Sequence, residues 1–199
     1  MKRRVFTLTA LGAVTTGAAA WVALKGSGLA REREPTQIAW LQLAPQDGSL
    51  QRYFGSFNRQ EVTDWAEDDP RAQAILSRLK ILSRQMPTLS DWNGREVAIP
   101  GFAVLYGDDK LLLDRFFFAP YQGACVHVPP PPGNQLIHVH MAKPIPLLHA
   151  AYPLLMRGRL QVQDTDHPVA FSRYALVNAY YEHFDMAQHP DWLPAYPLL

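Results

Sequence analysis

The chain of 199 residues has a single cysteine, Cys125, which excludes a disulfide framework and any Cys-rich zinc module. It also lacks a charge excess, since 19 Lys and Arg against 18 Asp and Glu leave a net charge of +1. A field strong enough to hold nucleic acid is therefore not expected. Charged residues make up 19% and hydrophobic ones 48%, which excludes a disordered polyelectrolyte. No internal repeat is evident. What the sequence has in quantity is proline, 17 residues, a composition that favours strands and loops over long helices. The length predicts one domain.

The first thirty residues read as an export signal. Lys2, Arg3 and Arg4 precede an uncharged stretch from Val5 to Leu24, and Gly28-Leu29-Ala30 is a small-x-small cleavage pattern. Arg3-Arg4-Val5-Phe6 matches the twin-arginine export pattern, with Lys2 where Ser or Thr is preferred. The alternative is an uncleaved anchor through residues 5–24. Either way the body is expected in the periplasm, touching membrane only through that segment. Cleavage removes four of the 19 basic residues and none of the 18 acidic ones, leaving a net charge of −3. Nucleic acid is disfavoured further as a partner.

Residues 31–37 read as a linker, 38–184 as one globular domain and 185–199 as a tail laid on the surface. Ile38 to Leu43 is a short apolar element. A helix is predicted from about Pro70 to Gln85, with Asp68 or Asp69 as its cap and Ala72, Ile75, Leu76, Leu79 and Leu82 on one face. The period then changes to two. Strands are predicted over Glu96–Pro100, Phe102–Tyr106, Leu111–Ala119, Gly123–Val128, Gln135–Met141, Leu154–Val162 and Tyr174–His183. The expected fold is mainly β, α+β by content: a small OB-like antiparallel barrel or sandwich with one N-terminal-side helix. Leu155–Val162 followed by Tyr174–Val177 looks like the last strands of such a barrel, with Gly158 at a bend.

The chemistry concentrates between Tyr121 and Met141. Pro129 to Pro132 form a stiff polyproline segment, and Gly133-Asn134 can reverse the chain, so the flanks are expected to pair as a hairpin. Alternation puts Ala124, Val126 and Val128 on one face with Ile137, Val139 and Met141. The opposite face carries Cys125, His127, His138 and His140, with i and i+2 neighbours roughly 6.5–7 Å apart. A thiolate with imidazoles suits zinc first and copper second. The same residues allow two other readings: a buried, inert cysteine, and a Cys125–His127 nucleophile pair. His149, His167, His183 and His189 are scattered and read as structural. Glu182-His183 reads as a solvated edge, and Trp40, Trp65 and Trp92 as packing residues.

Ile38–Leu43, the Val97-x-Ile99-Pro100-Gly101-Phe102 segment, the run from Ala119 to Gln135 and Met156-x-Gly158-x-Leu160 occur in this order. Together they resemble the bacterial exported family called domain of unknown function 3299, over roughly Ile38 to Phe184. This chain departs from that family's five-proline run, with Gly133 in the last place. Members are similar in being periplasmic, and some lie beside zinc-responsive ABC transport components. The resemblance thus implies an envelope location, envelope ABC-transport components as partners, and a metal role for Cys125 and His127, which match the run. His138 and His140 rest on strand alternation alone. Three functions follow as expectations: a zinc-binding or accessory protein of envelope metal transport, a metal-free barrel that docks a membrane transport complex, and a thiol enzyme.

Overall fold

A computed structural model describes residues 34–58, 69–106, 111–123 and 130–189. The segments 1–33, 59–68, 107–110, 124–129 and 190–199 lie outside it, and with them the export signal, Trp65, Cys125 and His127.

The chain enters through a two-residue strand β1 (Thr36–Gln37), so the end of the expected linker is already paired. It runs parallel to Val97–Ala98, and the Ile38 N–H continues the ladder to the Ala98 carbonyl at 2.9 Å. The apolar element after it is a 3-10 turn, Trp40–Leu43, whose Trp40 and Leu43 are buried and whose Trp40 indole donates to the Pro100 carbonyl at 2.7 Å. A short helix α1 (Ser49–Phe54) follows.

The predicted helix is α2 (Pro70–Arg84). Asp69 caps it, its carboxylate accepting from the Arg71 N–H at 2.8 Å, and Pro70 occupies the first turn, where no N–H is needed. Ala72, Leu79 and Ser83 are buried, with Ile75 and Leu82 beside the core. A third short helix, α3 (Leu147–Ala150), makes three among the described residues where sequence suggested one.

Five strands close into a ring: β2 (Glu96–Val104), β3 (Leu112–Ala119), β4 (Ile137–Pro146), β5 (Leu154–Asp166) and β6 (Phe171–His183). Their order is β2-β3-β4-β6-β5, and β5 pairs back to β2. Only the β4–β6 pair within the ring is parallel. This is the OB-like alternative, since a sandwich would leave the sheet open. The two short strands expected at 96–106 are one strand. It pairs with β5 through Glu96–Gly101 and with β3 through Phe102–Val104. Gly101 sits at the changeover, where a Cβ would lie 2.5 Å from the Ala119 carbonyl oxygen. At Gly158 the β5–β6 register shifts, opposite Asn178 with φ 52°, and a Cβ would lie 2.9 Å from the Val177 carbonyl. The bend read from sequence is therefore a bulge that over-coils the hairpin.

Alternation fills the ring. Phe116 and Phe118 point inward with Ile99, Ile137, Val139, Met156, Leu160 and Leu176, all fully buried. Tyr174 joins them, and its hydroxyl donates to the Leu43 carbonyl at 2.9 Å and accepts the Leu89 N–H at 2.8 Å.

The expected hairpin of 123–128 with 135–141 is not how β4 is paired. Its two edges are taken, one by Arg115–Phe118 of β3 and the other by Tyr174–Ala179 of β6. The first flank itself lies outside the described residues. Gly133–Gln135 is a buried 3-10 turn rather than a hairpin reversal, held by Asn134 Nδ2 donating to the Pro87 carbonyl at 2.8 Å. The tail begins with a 3-10 turn, Met186–Gln188, capped by Asp185.

Candidate functional site

β4 alternates as its sequence requires. Ile137 and Val139 enter the core, so His138 and His140 share the outer face of the ring. On β3 the same parity turns Phe117 outward, directly opposite His138. That outer face is covered rather than open to water. The chain leaving β2 lays Tyr106 over it, and the tight β5–β6 turn lays His167 over it. Tyr106 packs 5.3 Å from Phe117 and 4.3 Å from His167, centroid to centroid. His138 lies 5.1 Å from Phe117. His138 is consequently buried and His140 half-buried.

Both ring nitrogens of His138 are engaged. Nε2 shares a hydrogen bond with the Tyr106 hydroxyl at 2.6 Å, and Nδ1 shares one with His140 Nε2 at 2.9 Å. Thr165 Oγ1 stands 3.4 Å from the same Nδ1. A neutral imidazole has one N–H and one lone pair, so it donates to one neighbour and accepts from the other. Tyr106, His138 and His140 thus form a linear relay that can carry its protons in either sense. His167 is fixed differently: its Nδ1 accepts the Val169 N–H at 3.2 Å, which leaves the proton of the neutral ring on Nε2.

The charges favour neutral rings. Burial pushes His138 down to about 4, and His140, Arg115 and His167 push the same way. His140 is lowered by burial and by Arg115, with Asp114 opposing. Tyr106 is raised, first by burial. At neutral pH His138 is therefore a neutral ring, whose single lone pair accepts from one of its two neighbours.

Of the four side chains expected to share one face, His138 and His140 are brought together. Cys125 and His127 lie outside the described residues. Among the described residues, no group of three or more His, Cys, Asp or Glu side chains is placed to hold a metal ion. Sequence reasoning missed Tyr106 and His167. Each lies in a connection, at 105–106 and 167–170, where no periodicity reports direction. The signal available was the barrel itself, because OB-like barrels present the β3–β4 face between these two connections. The remaining histidines are not all scattered either. His149 Nδ1 hydrogen-bonds the Tyr181 hydroxyl, and the His149 and His183 rings lie 5.1 Å apart. His189 stacks on Phe184. Glu182 and His183 are exposed, as expected, with Glu182 paired to Arg157 at 2.9 Å. Trp40 is fully buried, and the partly buried Trp92 donates to the Gln42 carbonyl at 2.7 Å.

Comparison with known proteins adds a family and a fold. The model of the family described as "Protein of unknown function (DUF3299)" matches residues 40–183. No curated protein matches the chain. A crystal structure of a DUF3299 family protein from Pseudomonas aeruginosa PAO1 is similar, with 24% identity and a TM-score of 0.55, covering 76% of this chain and 98% of that one. At that identity the likeness concerns the fold alone.

Proposed function

The chain belongs to the DUF3299 family, and we propose that it is an exported envelope protein that holds a transition metal, zinc before copper, and serves metal transport or homeostasis at the periplasmic face. The observation that carries this reading is the His138–His140 pair. Two imidazole nitrogens face each other at 2.9 Å, while the far nitrogen of His138 meets the Tyr106 hydroxyl at 2.6 Å. A ligating histidine commonly passes its other N–H to an oxygen that fixes the ring, and Tyr106 is such an oxygen. Zn–N bonds of about 2.0–2.1 Å in a tetrahedron put two ligand nitrogens about 3.4 Å apart. The pair would open by about half an ångström to admit the ion. The depressed basicity of both rings supports the reading, because no imidazolium has to be deprotonated first; the one N–H that bridges the neutral pair moves to a distal ring nitrogen as the ion enters. Cys125 and His127 would complete the ligand set. The ion would act there as a bound cargo or a structural centre.

A second reading has its own observation. Leu111, Leu112, Leu148 and Tyr152 are exposed by 82%, 56%, 70% and 57%. They group where β3 begins beside α3, the Leu147 N–H donating to the Leu111 carbonyl at 2.9 Å. Such a patch suits a metal-free barrel that docks an envelope transport complex.

Metal content decides between them. Protein exported by its own N-terminal segment should carry about one zinc or copper per chain. Cys125→Ala, His127→Ala and the double His138→Ala/His140→Ala variant should each lose it while remaining folded. No metal in the native protein, even after reconstitution under reducing conditions, would sink the metal reading and leave the docking barrel.

A further inference from the structure

Between α2 and the β5–β6 turn lies a cavity of about 400 Å³, enough for about a dozen waters. Its walls are mostly apolar: Leu79 from the helix, Pro130 and Pro131 from the polyproline segment, Leu136, and Val169 and Phe171 from the turn. Three charged side chains stand in its lining, Lys80, Arg84 and Asp166.

The walls are pinned. His167 and Ala170 exchange backbone hydrogen bonds of 3.0 and 3.1 Å, which closes the turn tightly. Arg84 grips Asp166 through two hydrogen bonds of 2.7 Å and lies 4.9 Å over the Phe171 ring. The Pro130 carbonyl accepts the Tyr53 hydroxyl at 2.9 Å. At the back, Gly133 lets all three walls meet. A Cβ there would lie 2.8 Å from the Ser83 carbonyl and 3.0 Å from the Phe171 ring. A packing fault in a soft region would collapse. This space is held open by a helix, a proline run and a clamped turn, and such pre-formed concavity lowers the cost of binding.

The charges set the sign of what fits. Arg84 and Asp166 satisfy each other. Asp166 also attracts Lys80 without an ion-pair contact, and two cations against one carboxylate leave the described lining with one surplus positive charge. We infer that this cavity binds a small amphiphilic anion, its apolar body against Leu79, Leu136 and Phe171 and its single carboxylate-type head at Lys80. The inference stands apart from the metal reading, because no residue of the His138–His140 pair lines the cavity. Among the described residues the two sites meet at His167, one of whose neighbours is Tyr106.

The test is calorimetric titration of the full chain, kept metal-free with a chelator. Decanoate, octanoate and the uncharged decan-1-ol are the probes. Decanoate should bind once per chain. Each methylene removed weakens binding about fourfold, so octanoate should bind more than tenfold more weakly. Decan-1-ol should bind at least tenfold more weakly than decanoate, and Lys80→Gln, on an exposed helix position, should erase that preference. Ala170→Trp, which fills the cavity, should abolish binding, with circular dichroism confirming the fold. His138→Asn/His140→Asn should leave binding within twofold. Absence of decanoate binding to the native chain overturns the proposal. So do equal affinities for octanoate and decanoate, equal affinities for the acid and the alcohol, or full binding by folded Ala170→Trp. Loss of metal with decanoate binding retained would leave this inference intact, and the converse would leave the metal reading intact.

Discussion

Replacing Tyr174 by Phe should cost more than the loss of one oxygen suggests. The ring is fully buried, and its hydroxyl is the only atom removed. That hydroxyl joins three parts of the chain: it donates to the Leu43 carbonyl at 2.9 Å and accepts from the Leu89 N–H at 2.8 Å. Phe keeps the shape of the ring and leaves both backbone groups without this partner. An orphaned buried group costs about 1–3 kcal/mol, and the Leu89 side is partly wetted, so the total should be about 2–4 kcal/mol. For a chain of this size that lowers Tm by on the order of 5–15 °C. Urea unfolding should show a lower midpoint with the slope unchanged. Hydrogen exchange should locate the effect, with the Leu89 amide exchanging faster and the β4 amides shifting only with global stability. A change below about 0.5 kcal/mol, with Leu89 protection intact, would refute the idea that this hydroxyl staples the N-terminal turn to the ring.

Two further outcomes follow from the geometry. In chelator, stability should decline as pH falls from 6.5 through about 4, because unfolded His138 takes up a proton across that window and folded His138 does so only at its end. The shift corresponds to at most about 3.4 kcal/mol, reduced to about 1–2 by solvent around the ring. His138→Asn should flatten the slope above pH 4.5, and an unchanged slope would assign the effect to other groups. Gly101→Ala should destabilise by at least about 2–3 kcal/mol, since its Cβ would strike the Ala119 carbonyl and the Phe118 ring. Gly94→Ala meets nothing within 4 Å and should cost about 1–2 kcal/mol from its φ of +78° alone. Equal melting temperatures for the two would contradict the close approach at Gly101.

Local chemistry was readable where it is self-contained. Asp69-Pro70 announces a helix start because the cap and the first turn need nothing beyond their neighbours, and Gly158 announces a bend because only its lack of a Cβ permits the bulge. The shared face of His138 and His140 follows from parity. Pairing was not readable, because it is decided by edges. Gln135–Met141 has the same alternation whether its partner is 123–128 or 112–119. Phe116, Phe117 and Phe118 read as one apolar run, and only the closed ring shows that Phe117 faces out, under Tyr106. Tyr106 and His167 belong to connections, and their meeting is a property of the finished barrel.

The parallel contact between β4 and β6 also sets an order of assembly. The histidine strand borders residues 171–183 on one side, so its second neighbour is made only after the whole of β5. A partial chain ending before β6 has β4 with a bare edge, β5 without its hairpin mate, and nothing beyond residue 170 to anchor the turn that carries His167 onto Tyr106. Slow, non-local closure is therefore built into the topology, and refolding should be limited by docking of the last strand. The relay of Tyr106, His138 and His140 draws on β4 and the chain after β2, but its His167 cover is laid on only after that event, so the seating of His167 on Tyr106 reports on whether the ring has closed.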